Sequence, residues 1–130
     1  MFTLSIQAHV SIGGEEYAED GRYSRGSDVI SVMYSGDIDV DSTLVTLTDE
    51  DNKKIGLIAN VDSNNPKHLI ISLIDSLSYN KEYRLSLSGV QYKYDNHLFP
   101  VNAQDIQFFT RTETEENAGK GTVVIDNFVI

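Results

Sequence analysis

The stretch from Phe2 to Ile12, FTLSIQAHVSI, alternates without a break. Phe2, Leu4, Ile6, Ala8, Val10 and Ile12 are apolar, and the residues between them are Thr, Ser, Gln, His and Ser. Successive side chains of a strand point to opposite faces, so this pattern buries one face only when the chain is extended. Gly13-Gly14 then ends the run. The same period recurs. VISVMY directs Ile30, Val32 and Tyr34 to one side, and IGLIANV directs Ile55, Leu57, Ala59 and Val61. HLIISLI does so with Leu69, Ile71 and Leu73, EYRLSLSGV with Tyr83, Leu85 and Leu87, and DIQFFT with Ile106 and Phe108. TLVTLT is rich in strand-forming β-branched residues, and GTVVIDNFVI reads as the closing strand.

Between these runs, DEDNKK and DSNNP carry turn residues, and residues 13–28 read as a long polar loop or linker. Pro66 and Pro100 are expected in loops, where no ladder hydrogen bond is lost. No segment reads as a helix. LIDSLSYNKEY has some helical spacing, but Ser, Asp and Asn interrupt it. Roughly seven to nine short strands separated by turns imply an all-β fold, an antiparallel β-sandwich. Its expected core is Ile30, Val32, Tyr34, Leu57, Leu69, Ile71, Tyr83, Leu85, Leu87 and Phe108.

Length and charge limit the function. A chain of 130 residues suits one domain with one core. Net charge is −10, and no run of basic residues exceeds Lys53-Lys54. That argues against nucleic acid or an anionic membrane surface as partner, because phosphate binding needs clustered Lys and Arg. Cysteine is absent, which removes disulfides, thiolate zinc sites and cysteine nucleophiles. No apolar run approaches the roughly 20 residues of a membrane helix, and the first residues lack the basic start of a signal peptide. Both ends look like interrupted strands, so the chain is expected to be part of a longer exported protein.

The order of motifs from about Val29 to Thr110 carries a resemblance. ISVMYSGDIDVDSTL is an apolar strand ending in an aromatic, then Ser, then an acidic loop with a Ser-Thr pair. LIISLIDSLSYNKEYRLSLSGVQYKYDNHL and IQFFT follow in turn. Together they resemble a bacterial immunoglobulin-like domain of the type first associated with surface-layer proteins, the fifth bacterial Ig-like group. That family's turn often ends in Gly-Asn, whereas here Asp95 stands directly before Asn96; Asp tolerates left-handed backbone better than most residues. The resemblance implies an Ig-like sandwich with its core at about 29–110. The flanking strands at 2–12 and 122–130 fall outside it and are read from their residue pattern, as extra edge strands of one domain over 1–130 or else as remnants of neighbouring modules. The resemblance also implies a non-catalytic spacer or accessory module of a larger exported bacterial protein, outside the cell or at its surface, such as a polysaccharide-degrading enzyme. Its partners would be neighbouring domains of the same polypeptide. The flanks FTLSIQAHVSI and GKGTVVIDNFVI are similar to strands of jelly-roll carbohydrate-binding modules.

Candidate chemistry is sparse. Asp37, Asp39 and Asp41 alternate in DIDVDST and could present three carboxylates to a calcium ion. An EF-hand-type loop needs Gly at its sixth position and Glu at its twelfth, and neither is present, so an acidic inter-strand loop is the favoured reading. DEDN, residues 49–52, reads as a hairpin turn, with calcium as the alternative. No other cofactor is expected. His9, His68 and His97 match no metal-ligand spacing, and His9 is expected on a solvated face. No Gly-x-Ser-x-Gly elbow or phosphate loop is present, and a domain this small has little room for a cleft, so no enzyme activity is expected. The alternative function is carbohydrate binding. Tyr92 and Tyr94 should share a face, Phe99 follows, and Asp95 and Asn96 could hydrogen-bond to sugar hydroxyls. Tyr17 and Tyr23 lie in the polar N-terminal loop. Against this, Tyr92 and Tyr94 could be half-buried strand residues.

Overall fold

The computed structural model describes residues 8–18, 21–101 and 104–119. In chain order the strands are β1 (Ala8–Ile12), β2 (Glu15–Glu16), β3 (Arg22–Tyr23), β4 (Val29–Tyr34), β5 (Ile38–Val40), β6 (Val45–Asp49) and β7 (Lys54–Ile55). They continue as β8 (Leu57–Asp62), β9 (Asn65–Leu73), β10 (Glu82–Leu87), β11 (Val90–Tyr94), β12 (His97–Pro100) and β13 (Asp105–Thr110). A 3-10 turn spans Ser42–Leu44, and one helix, α1, spans Glu113–Gly119. The expected strand residues 2–7 and the closing strand at 122–130 lie outside the described residues.

The strands form an all-β sandwich. One sheet has the order β2-β1-β4-β9-β8, entirely antiparallel. The second has the order β3-β13-β10-β6-β7, antiparallel except where β3 runs parallel to β13. A small third sheet, β12-β11-β5, is also antiparallel. The alternation read from the sequence is what packs the first two sheets together. Ile12, Ile30, Val32, Leu69 and Ile71 of one join Leu47, Tyr83, Leu85, Leu87 and Phe108 of the other in a single buried cluster. Of the ten core residues expected, only Leu57 is partly rather than fully buried.

Three expectations change. First, residues 13–28 are not a free linker. Gly13 and Gly14 both take positive φ, as a tight hairpin turn requires, and return the chain as β2 against β1. The chain then reaches β3, where Tyr23 is buried. Tyr23 meets Phe108 edge-on at 6.0 Å; Phe108 stacks with Tyr83 at 5.7 Å, and Tyr23 with Tyr17 at 6.3 Å. Second, a helix is present. Thr112 Oγ1 accepts from the Glu115 N–H, and Glu115 Oε1 accepts from the Thr112 N–H, a reciprocal capping box read in the sequence as Thr-x-x-Glu. Third, both prolines stand in strands: Pro66 near the start of β9, outside the stretch that pairs with β4, and Pro100 at the end of β12.

Hydrogen bonds fix the approach to β10. The Ser78 N–H donates to the Tyr83 hydroxyl at 2.8 Å. Thr110, fully buried, donates from Oγ1 to the Ser78 carbonyl at 2.5 Å and accepts from the Lys81 N–H at 3.0 Å. Across the hairpin from β6 to β7, the Asp49 carboxylate accepts from the N–H groups of Asp51 and Lys53 at 2.8 and 2.9 Å, and Lys81 lies 3.3 Å away. The Lys53 N–H first, then the Asp51 N–H and Lys81, hold its pKa below the usual carboxylate value.

Tyr83→Phe strands the Ser78 N–H in a partly buried place, which should cost about 1–3 kcal/mol in urea unfolding. Because the folded pKa of Asp49 is depressed, its contribution is present above the unfolded value of about 3.9 and is lost as pH falls through the folded value. Urea midpoints measured from pH 7 to pH 2.5 should drop below about pH 4, and Asp49→Asn should flatten that drop.

Candidate functional site

The third sheet is the part of the molecule that gathers the predicted site residues. Its hairpin turns at Asp95 and Asn96, both at positive φ (52° and 62°), as a two-residue turn matched to strand twist demands. The turn therefore forms with Asp in place of Gly. Register then sets the faces. Tyr92 opposes Phe99 and Tyr94 opposes His97, so four rings share one side of the hairpin. Tyr92 and Tyr94 stack at 6.1 Å, nearly parallel at 10°, and His97 meets Phe99 at 6.5 Å. Tyr92 is half-buried and lies so close over Gly36 that a Cβ there would overlap its ring; Tyr94 is 55% exposed. The strip thus runs from a covered inner end to a solvent-exposed outer end.

The opposite face meets the acidic loop. β5 pairs with β11, placing Asp39 opposite Gln91 and Ile38 opposite Tyr92. An open depression of about 500 Å³ forms there, where Asp37, Asp39, Lys93, Asp95, Asn96 and Leu98 meet Tyr94 and His97. The two predicted sets, acidic and aromatic, are brought to one place by a pairing between distant segments. Asp41 is not part of it. Its Oδ1 accepts from the Thr43 N–H at 3.1 Å and from Thr43 Oγ1 at 2.6 Å, capping the 3-10 turn. Asp39 Oδ1 accepts from the Val40 N–H at 3.0 Å. Among the described residues no three His, Cys, Asp or Glu side chains stand close enough to hold a metal ion. Asp49 of DEDN is occupied by its own turn. Lys93, His97 and Leu98 join the site although the sequence reading did not single them out there; alternation along the two strands carries that signal.

The arrangement offers stackable rings on one face and hydrogen-bonding carboxylate, amide and ammonium groups on the other. It does not enclose a substrate or converge acid and base groups on one point.

Comparison with known proteins concerns the fold. The chain matches no family model and no curated protein. Solved structures do resemble it. The N-terminal part of the bacterial S-layer protein SbsC aligns with a TM-score of 0.51 and 16% identity, over 65% of this chain and 21% of that one. CopC from Methylosinus trichosporium OB3b aligns with a TM-score of 0.52 and 11% identity, over 72% of this chain and 85% of that one. The alignment thus spans about a fifth of the S-layer structure. At these identities the likeness shows a shared β-sandwich fold. No helix among the described residues is long and apolar enough to cross a membrane.

The commitment of Asp41 to Thr43 generates a prediction for calcium. A calcium titration should leave the melting temperature unchanged, since an ion bound only by the folded state would raise it. A rise abolished by Asp39→Ala would show instead that the ion draws the loop carboxylates together.

Proposed function

We propose that the chain is an immunoglobulin-like spacer module of a larger exported bacterial protein, without catalytic activity. The observation that carries this reading is the strand order. β1-β4-β9-β8 against β13-β10-β6 follows the A-B-E-D and G-F-C layers of constant-type immunoglobulin domains. Tyr83 sits near the start of the strand equivalent to F, and its hydroxyl bonds back to Ser78, as in the tyrosine corner of such domains. The likeness to part of a bacterial S-layer protein agrees with a place at the cell surface within a longer chain. The open depression favours a non-catalytic role, because catalysis calls for a concave site with convergent groups. Neighbouring domains of the same polypeptide are the partners in this reading.

A second reading has its own support. The stacked Tyr92 and Tyr94, with His97 and Phe99 on the same face, offer the apolar ring surface that a polysaccharide requires. Affinity electrophoresis through a panel of soluble polysaccharides separates the two. A spacer should migrate unretarded in every gel and unfold in one cooperative transition. Retardation by one glycan, lost in the Tyr92→Ala/Tyr94→Ala variant, would replace the spacer reading with the binding reading.

A further inference from the structure

Register in the first sheet aligns three side chains that the linear sequence keeps far apart. His9 on β1 pairs directly with Met33 on β4, and Met33 pairs directly with His68 on β9. Directly opposed residues share a face, so the three form one row across adjacent strands. That face points away from the core. Val32 and Leu69, next to the row, are fully buried, whereas Met33 is 38% exposed, His9 is exposed and His68 is half-buried.

Two contacts orient the row. Asp62 Oδ2 lies 3.1 Å from His68 Nδ1, from the β8 side of β9. That contact occupies Nδ1 and leaves the other ring nitrogen, Nε2, for a further ligand. A carboxylate on the far nitrogen is the usual way of fixing a metal-binding imidazole. Asn65 Nδ2 donates to Met33 Sδ at 3.6 Å, which steadies the thioether and leaves its second lone pair free. Strands lie about 4.8 Å apart, so each imidazole need span only about that distance to meet above Met33.

We propose that His9, Met33 and His68 form a copper(I) site on the outer face of the first sheet, with Asp62 as the positioning residue for His68. Two neutral imidazoles and one thioether make a soft, uncharged ligand set. Such a set favours copper(I) over calcium or magnesium, which need oxygen donors, and over zinc, whose usual protein ligands are thiolate, imidazole and carboxylate. Because the third ligand is sulfur, the site needs no cluster of three His, Asp or Glu side chains, and none occurs among the described residues.

The test is anaerobic titration of the full chain against copper(I) buffered by a colorimetric chelator. One equivalent should be withdrawn from the chelator. Met33→Leu and His68→Ala should each weaken binding tenfold or more, and Asp62→Asn by about tenfold. His97→Ala should leave it unchanged. Silver(I), a diamagnetic stand-in, should shift the ring resonances of His9 and His68 together and spare those of His97. Met33→Leu keeps an apolar side chain of similar size, so its urea midpoint shows whether the variant remains folded. The proposal is overturned if no copper is withdrawn, or if folded Met33→Leu and His68→Ala variants withdraw it as well as the parent. Zinc binding of equal strength that ignores Met33→Leu would also overturn it, because the thioether would then have no part.

Discussion

Four aromatic rings, Tyr83, Phe108, Tyr23 and Tyr17, form a continuous ladder on which the second sheet depends. Phe108 is its centre, stacked on one neighbour and edge-on to the next, geometries that suit the ring quadrupole. Each pair contributes about 0.5–1.5 kcal/mol beyond burial of area. The polar ends are satisfied as well. Tyr83 accepts from Ser78, Tyr23 from the Ala18 N–H, and Tyr17 donates to the Gln107 carbonyl. The ladder joins β10, β13 and the N-terminal segment, three regions remote in sequence. It gives the acidic, glycine-containing stretch after β1 a fixed path over the sandwich. The helix adds to this hold, since Glu116 accepts from Ser24 and from the Arg25 N–H.

Much of the fold was legible because period-two alternation is a local property. The inward rows at Ile30, Val32, Leu69, Ile71, Leu85 and Phe108 could be read directly from composition along the strand. What escaped was either too short or too distant. β2 and β3 are two residues each and mostly polar, so no alternation marks them. Tyr23 stands in a polar stretch among charged and small neighbours, and its burial comes from the distant Phe108 together with Tyr17. Helix α1 did have a local sign, the Thr112–Glu115 capping box, but its short length leaves no apolar stripe to accompany it.

The candidate site was legible as two separate clues and not as one place. The Asp37–Asp41 alternation and the Tyr92–Tyr94 alternation both hold, yet their junction depends on β5 pairing with β11. Pairing partners cannot be read from periodicity. The same limit hid the row formed by His9, Met33 and His68, whose members follow no ligand spacing along the chain. Asp41 shows the opposite case: its alternation with Asp37 and Asp39 is real, but Thr43 lies two residues away and captures the carboxylate locally.

The parallel pairing of β3 with β13 bears on how the domain carries load. Tyr23 and Thr110 stand side by side, and the Arg111 N–H donates to the Tyr23 carbonyl at 2.9 Å. The chain enters β3 and leaves β13 in the same direction, so tension drawing the preceding and following segments apart slides one strand along the other. The bonds between them then resist in shear and must fail together, whereas a hairpin pulled at its open end unzips bond by bond. Because β1 and β2 precede β3 in the chain, tension from the N-terminal side falls first on the pairing of β1 with β4, and the clamp between β3 and β13 is loaded in shear only once β1 has been drawn out.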